Sequence, residues 1–577
     1  MLIEFVSGND WLATIASIGY KVFSLLAVCG RPMSARVFMS RHPNRLRKRG
    51  DFKMNQQLLL GNEAVGLGAI HAGLSGVFGY PGTPSTEIFE FIQSKAADSR
   101  IRAVWSANEK VGYEEALGMS FAGKRVIVTM KHVGLNVAAD PFMNSSMTGV
   151  NGGFVVAVAD DPGMHSSQNE QDSRYYADFA RIPCFEPSSQ QEAYDMMGSI
   201  FDLSEQNDVP VMLRLVTRLS HSRANVMPIK APRVQNALAP AHDWKKWVLL
   251  PGNARIRNIQ LIQKQDTLTA LSEKSPFNKL TLAPGATLGI IATGIAANYV
   301  KENLDDFGQP VHFLKICQYP IPIAHIRSIL DASEEILVVE DGYPYVESRI
   351  LGLFGVPNKR ITGRLSGALP RTGEMNSDHV RAALKLNVRD HFQFDAGKIP
   401  GRPPVLCQGC PHADTYRAMQ EAVKAHANSK IFSDIGCYTL GVLPPFTCGE
   451  ACVDMGASVS MAYGAASAGV YPSIAVIGDS TFIHSGMTPL IGAAKENADI
   501  NVFIMDNSLV AMTGAQQTMA TGSALVDLVE KLGVPREHIV TLKPLPKHHE
   551  ENVTLIRKEL EYHGTSVLIP QRPCLRA

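Results

Sequence analysis

The chain has 577 residues, too many for a single hydrophobic core and the length of three or four domains at about 150 residues each. With 45% hydrophobic, 19% charged and 7% aromatic residues it has the composition of a soluble globular protein, which excludes a disordered tail, a collagen-like repeat and a polytopic membrane protein. Lys plus Arg of 55 against Asp plus Glu of 54 leaves a net charge of +1, which argues against a general polyanion binder, so no nucleic-acid partner is expected.

That charge is unevenly placed. Residues 1–53 hold nine Lys/Arg and three Asp/Glu, leaving 46 against 51 for the mildly acidic remainder. Within this leader, residues 11–30 form an apolar run interrupted by Lys21 and followed by Arg45, Arg47, Lys48 and Arg49. Glu4 and Asp10 precede the run, unlike the basic start of a signal peptide, and a central Lys makes a weak spanning helix. The expectation is a non-native or disordered leader before an internal start at Met54, with an anchor or a targeting segment as alternatives. A cytoplasmic protein without stable membrane contact follows from that reading.

From Met54 the chain alternates short apolar strands with amphipathic helices, the grammar of doubly wound parallel α/β domains. Strands are expected at 76–80, 126–130, 154–159 and 209–215. Residues 236–280, polar and Lys/Gln-rich with Pro240 and Pro251, read as a connecting segment. A second α/β unit over 281–390 opens on TLGIIATG and contains EEILVVED. A Gly/Pro-rich stretch over 391–406 leads into a third unit, reaching residue 577, with strands in KIFSDIGC, SIAVIGD and INVFIMDN.

The third unit carries the most informative chemistry. Asp479 follows Gly478 at the carboxyl end of one strand, and Asn507 lies at the end of the next, 28 residues on. In an open parallel sheet both project into the ligand crevice, and a carboxylate with an amide oxygen suits Mg²⁺ bridging a diphosphate. A strand-end Asp capping a helix is the plainer alternative. Gly478 is expected to permit a tight turn there. This segment resembles the diphosphate motif of thiamine-diphosphate enzymes, which implies Mg²⁺ ligation by the side chains of Asp479 and Asn507 and the carbonyl of Leu509. It departs from the commonest form in having Ser480 after the Asp and a single Asn.

Thiamine chemistry also needs a carboxylic acid, from a different domain, that hydrogen-bonds the aminopyrimidine. Glu109 opens a helix that runs to a turn at Gly123, with Glu114 and Glu115 as competitors. Helix-start glutamates are usually dipole partners. The spacing of Glu109, Gly118 and Gly123 resembles the thiamine-activating helix of the 2-oxoacid:ferredoxin oxidoreductases.

The strings at 61–87, 129–144, 160–183, 403–412, 434–441 and 478–487 resemble the large (alpha) subunits of indolepyruvate:ferredoxin oxidoreductases, from about residue 55 to 577. The resemblance implies several transketolase-like domains: pyrimidine-binding over 54–235, a linker over 236–280, a transketolase C-terminal-like domain over 281–390 and diphosphate-binding over 391–577. It implies oxidative decarboxylation of arylpyruvates, acylation of coenzyme A, electrons for ferredoxin, and a smaller beta subunit as partner. Thr83 in YPGTPSTE would meet substrate carboxylate or cofactor, while helix capping fits Ser85 or Thr86 better than Thr83. Lys131, His132 and His165, in loops after strands, are candidate substrate-lining groups, with solvated loops as the alternative.

Nine cysteines are too sparse for a disulfide scaffold, and five lie between 407 and 452. A CxxC pair such as Cys407 and Cys410, followed by Cys437, reads as zinc, dithiol redox or a cluster corner, with reduced structural thiols as the plainer alternative. The resemblance implies a [4Fe-4S] cluster near the thiamine, with Cys574, Cys452 or Cys448 as fourth ligand. It also implies a terminal ferredoxin-like module with two CxxCxxCxxxCP runs, for which the sequence, ending three residues after Cys574, has no cysteines. The terminal relay is then expected on another polypeptide, by another electron exit, or lost by truncation. A non-oxidative arylpyruvate decarboxylase and a catalytically degenerate subunit are the rival functions.

Overall fold

The computed structural model describes residues 56–229, 231–240, 244–387, 389 and 404–576. The leader over 1–53 and most of the Gly/Pro-rich stretch over 391–406 lie outside the described residues. Among the described residues no helix is long and apolar enough to cross a membrane.

Three parallel sheets carry the architecture. The first has seven strands, in the order Gln318–Tyr319, Cys184–Phe185, Val211–Val216, Phe154–Asp160, Val126–Lys131, Gly76–Gly79 and Arg102–Trp105. All its pairings are parallel except that of Gln318–Tyr319 with Cys184–Phe185. The central strands Val126–Lys131, Phe154–Asp160 and Val211–Val216 are buried at every position. That two-sided burial explains their mainly apolar character, because helices cover both faces, with Thr129 and Arg214 as buried polar exceptions.

The second sheet runs Arg360–Thr362, Glu335–Val339, Leu288–Thr293, His312–Ile316 and Lys279–Thr281, the last antiparallel at the edge. The third runs Lys430–Ser433, Ser473–Gly478, Ile500–Met505, Ser566–Pro570 and Ile539–Leu542, all parallel. One apolar core extends from the first sheet, through Val155 and Leu213, into the second, through Ile290 and Val339. The third sheet has two cores of its own, one on each face. Between the first and second sheets, in the segment that reads as a connection, lies the 23-residue helix Pro251–Glu273. It buries only Leu261, Leu268 and Ser272, while Arg257 and Lys264 tie it to Asp208 at 3.0 and 3.4 Å.

A buried charge network joins the first two sheets. Arg214, on a central strand, donates to Asp160 at 2.6 Å, Glu186 at 2.5 Å and the carbonyl of Asp341 at 2.9 Å. Arg174 donates to Asp172 and, at 2.9 Å, to Glu340 from the second sheet. Removing one cation from such a network leaves carboxylates buried without a partner. Arg214→Met is therefore expected to lower stability by about 3–5 kcal/mol. A denaturation midpoint equal to that of wild type would contradict this.

Candidate active site

The carboxyl ends of the first and third sheets line a cavity of about 480 Å³, of the size that holds a cofactor and a small substrate. One wall comes from the turn after strand Gly76–Gly79, the start of helix Glu109–Phe121, and the end of strand Val126–Lys131. The other comes from the loops after strands Lys430–Ser433, Ser473–Gly478 and Ile500–Met505. Thr83, Glu109, Lys131, Cys437, Gly478, Asp479, Ser480, Asn507 and Leu509 all line it, so residues more than 400 positions apart in sequence converge.

Glu109 owes its place to the helix cap. The Asn108 side chain accepts from the Val111 amide at 2.9 Å, which makes Glu109 the first helical residue, buried at 5% exposure. A Cβ at Gly134 would lie 2.5 Å from Glu109 Oε1, so only glycine allows that approach. The competing carboxylates face outward: Glu114 pairs with Lys110, and Glu115 accepts from Ser106 at 2.6 Å. In the YPGTPSTE turn the Gly82 amide is received by Thr86 Oγ1 at 3.0 Å, and Ser85 Oγ donates to the Gly82 carbonyl. Neither bond involves the hydroxyl of Thr83. Lys131 Nζ donates to the Ser166 carbonyl at 2.6 Å, and burial lowers its pKa to about 8 although Asp161 opposes the shift.

On the opposite wall, Asp479 Oδ1 accepts from the Ser480 amide at 2.7 Å and Oδ2 from the Ser508 amide at 2.8 Å. Burial pushes this carboxyl up to about 7, and the nearby Asp506 adds to the effect. A buried carboxylate beside an amide oxygen is a donor set suited to a hard divalent ion. Asn507 Oδ1 accepts from the Leu509 amide at 3.1 Å, and its Nδ2 lies 3.3 Å from His412 Nε2. Burial lowers His412 to about 4, so it is a neutral acceptor for the Asn507 amide nitrogen, which assigns Oδ1 to the other side of the group. Gly478 does not make the tight turn expected of it. Its backbone is extended, with φ −83°, and glycine is required because a Cβ would lie 2.5 Å from the Tyr438 ring.

Two histidines of the sequence reading fall outside the cavity wall. His132 is buried behind it, with Nε2 at 3.2 Å from the Asn169 carbonyl. His165 is exposed on a loop, 3.5 Å from Glu374. Sequence reasoning passed over His484, which reaches Glu109 at 2.8 Å, and Tyr80, whose hydroxyl lies 2.9 Å from Ser480 Oγ. Both stand inside motif strings already singled out, GDSTFIHSGM and GYPGTPSTE, so the available signal was a ring beside each motif.

The cysteines divide into two sets. Cys437 lines the cavity, and burial raises its thiol to about 11, with Cys410, Cys574 and Cys407 adding to the shift and Arg576 opposing it. Cys574 is held by its amide, which donates to the Asn507 carbonyl at 3.0 Å. Cys448 is instead buried in the core, 3.3 Å from the Phe446 carbonyl, and Cys452 sits beside Thr439 and Asp434. Among the described residues no three His, Cys, Asp or Glu side chains close on a single metal ion. A cubane cluster spans its four thiolates more widely than a mononuclear site, so the proximity of Cys407, Cys410 and Cys574 to Cys437 is compatible with cluster ligation.

Two family models and several curated relatives match the chain. The family described as "Pyruvate flavodoxin/ferredoxin oxidoreductase, thiamine diP-bdg" matches residues 67–263, and "Thiamine pyrophosphate enzyme, C-terminal TPP binding domain" matches 434–539. The indolepyruvate oxidoreductase subunit IorA of Archaeoglobus fulgidus is 38% identical over 91% of this chain and 87% of its own length. That of Methanothermobacter thermautotrophicus is 36% identical over 90% and 86%. A solved 2-oxoglutarate:ferredoxin oxidoreductase from Magnetococcus marinus aligns with a TM-score of 0.49 and 16% identity, over 66% of this chain and 71% of that one. The chain belongs to the indolepyruvate oxidoreductase subunit IorA family, thiamine-diphosphate-dependent oxidoreductases that act on 2-oxoacids.

Proposed function

We propose that this chain is the catalytic subunit of a complex that oxidatively decarboxylates arylpyruvates, indolepyruvate among them, to aryl-acetyl-CoA, with ferredoxin as electron acceptor. The observation that carries the reading is the convergence of Glu109 from the first sheet with Asp479 and Asn507 from the third on one cavity. Thiamine diphosphate, when bound, supplies a thiazolium carbon nucleophile and an electron sink for loss of CO₂.

The chain's own groups then have distinct tasks. Glu109 exchanges a proton with the aminopyrimidine, as a buried acid on the wall opposite the diphosphate ligands. Asp479, Asn507 and the Leu509 carbonyl hold Mg²⁺, with Gly478 and Ser480 shaping the diphosphate seat. Thr83 and the Lys131 ammonium meet the substrate carboxylate. Val137, Val453 and Met512 give the mouth an apolar rim suited to an aryl ring. Cys407, Cys410, Cys437 and Cys574 hold a [4Fe-4S] cluster, which places the first electron acceptor beside the cavity wall. A smaller beta subunit, ferredoxin and coenzyme A complete the reaction.

The test is arylpyruvate- and coenzyme A-dependent reduction of a viologen dye by the anaerobically purified complex, with iron and acid-labile sulfide measured on the same sample. About four irons per chain and an acyl-CoA product are expected. Aldehyde as the product would replace this reading with a non-oxidative decarboxylase, and iron-free protein would remove the cluster. Because the Lys131 ammonium is lost as pH rises through about 8, the KM for an anionic 2-oxoacid should rise above that pH. Lys131→Met should raise KM about tenfold and flatten the profile, which steady-state kinetics between pH 6.5 and 9 would check at roughly those limits.

A further inference from the structure

His484 approaches Glu109 from the wall opposite its own helix. Nε2 of His484 lies 2.8 Å from Glu109 Oε2, and both side chains are almost fully buried, at 4% and 5% exposure. The ring is fixed on its other sides. Nδ1 lies 2.6 Å from Ser485 Oγ, Tyr80 packs edge-on at a centroid distance of 4.7 Å, and Asn108 Nδ2 donates to the His484 carbonyl at 3.0 Å. A serine hydroxyl that donates to Nδ1 leaves the ring proton on Nε2, aimed at the carboxylate.

The backbone is shaped to allow this. Phe482–Gly486 forms one wide π-helical turn between Asp479–Thr481 and the α-helix Met487–Lys495. Within it Phe482 packs into the core of the third sheet, and His484, two residues on, lines the cavity. Such turns commonly mark functional sites. The result is a carboxyl group bound on one side only: Oε2 is bound by His484, while Oε1 lies beside Gly134, where no side chain intervenes.

We propose that His484 is the positioning residue of Glu109, holding Oε2 so that Oε1 is the oxygen presented to the aminopyrimidine ring nitrogen. This rests on reading the cavity as the thiamine site. A carboxyl tethered through one oxygen loses little orientational freedom when the other binds, and the tether comes from the half of the molecule that also seats the diphosphate. His484 thereby couples the arrival of the diphosphate end to the alignment of the acid.

The test is calorimetric titration of the full chain, with Mg²⁺, against thiamine diphosphate and against the analogue in which the aminopyrimidine N1′ is replaced by CH. Wild type should prefer the natural cofactor by about tenfold or more, the size of a hydrogen bond to a charged group. His484→Phe keeps a ring of similar size but no donor, and should abolish most of that preference, as should Glu109→Gln. His484→Gln, which keeps an N–H donor, should retain most of it. Where the phenylalanine variant does not fold, His484→Ala is read on the same two ligands. If the phenylalanine or alanine variant weakens both ligands equally, or keeps the wild-type preference, His484 is structural only and the proposal is overturned. If wild type itself shows no preference, the assignment of Glu109 falls and His484 falls with it.

Discussion

Glu109→Gln should reduce arylpyruvate-dependent turnover by about 10²–10⁴-fold, the range of a lost acid–base group, while the fold and the affinity for substrate change little. Glutamine has the same length as glutamate, and it fits the space between His484 and Gly134 that fixes the carboxyl group. What it lacks is the ability to exchange a proton with the cofactor. The effect should be specific to this position, because Glu114 and Glu115 on the same helix point outward. Glu115→Gln is expected to fall within about twofold of wild type in the same viologen assay. Wild-type turnover in Glu109→Gln would refute the assignment of the acid, whatever the behaviour of the diphosphate site.

The second large effect is at the other wall. Asp479→Asn should weaken binding of thiamine diphosphate with Mg²⁺ by about 100-fold or more, since it removes the one full negative charge among the three proposed ligands. The same substitution should act in the opposite sense on the cofactor-free protein. Burial raises the folded-state pKa of Asp479 from 3.8 to about 7. An acid raised in this way binds its proton more tightly in the folded than in the unfolded chain, so stability is lost as pH rises through that interval. In the cofactor-free protein the Asp479 contribution to stability should therefore fall between about pH 4 and pH 7, so Asp479→Asn should gain stability relative to wild type across that interval. Denaturation midpoints across this range, without and with Mg²⁺ and thiamine diphosphate, check both signs. Unchanged affinity in the variant would remove Asp479 from the cation site.

The strands were legible in the sequence wherever both faces of a sheet are covered. VIVTM and FVVAVA read as strands because their side chains are almost all apolar, and the structure extends them only to Lys131 and Asp160. Those extra residues are the ones that reach the cavity and the charge network. The helix Pro251–Glu273 was hidden because it buries so little: two leucines seven residues apart give no apolar stripe, and its attachment to Asp208 is ionic. The strand-end carboxylate and amide followed from position in a parallel sheet, whereas Glu109 depended on a family resemblance, since helix-start glutamates are common. His484 and His412 were invisible for a different reason. Their roles depend on partners 375 and 95 residues away, which periodicity cannot report.

The charge network between the first two sheets has a consequence for synthesis. Arg214, on a central strand of the first sheet, and Arg174, at the start of the helix Arg174–Ala180, are both buried, yet Asp341 and Glu340, to which they donate, lie 127 and 166 residues further along the chain. The strand Gln318–Tyr319, which covers the edge strand Cys184–Phe185, also comes late. At about 5–20 residues per second, the ribosome leaves this half-built sheet with partly unpaired interior cations and an open edge for on the order of ten seconds. The first sheet therefore depends on the second for completion, and a fragment cut after residue 235 should aggregate through that edge rather than fold alone.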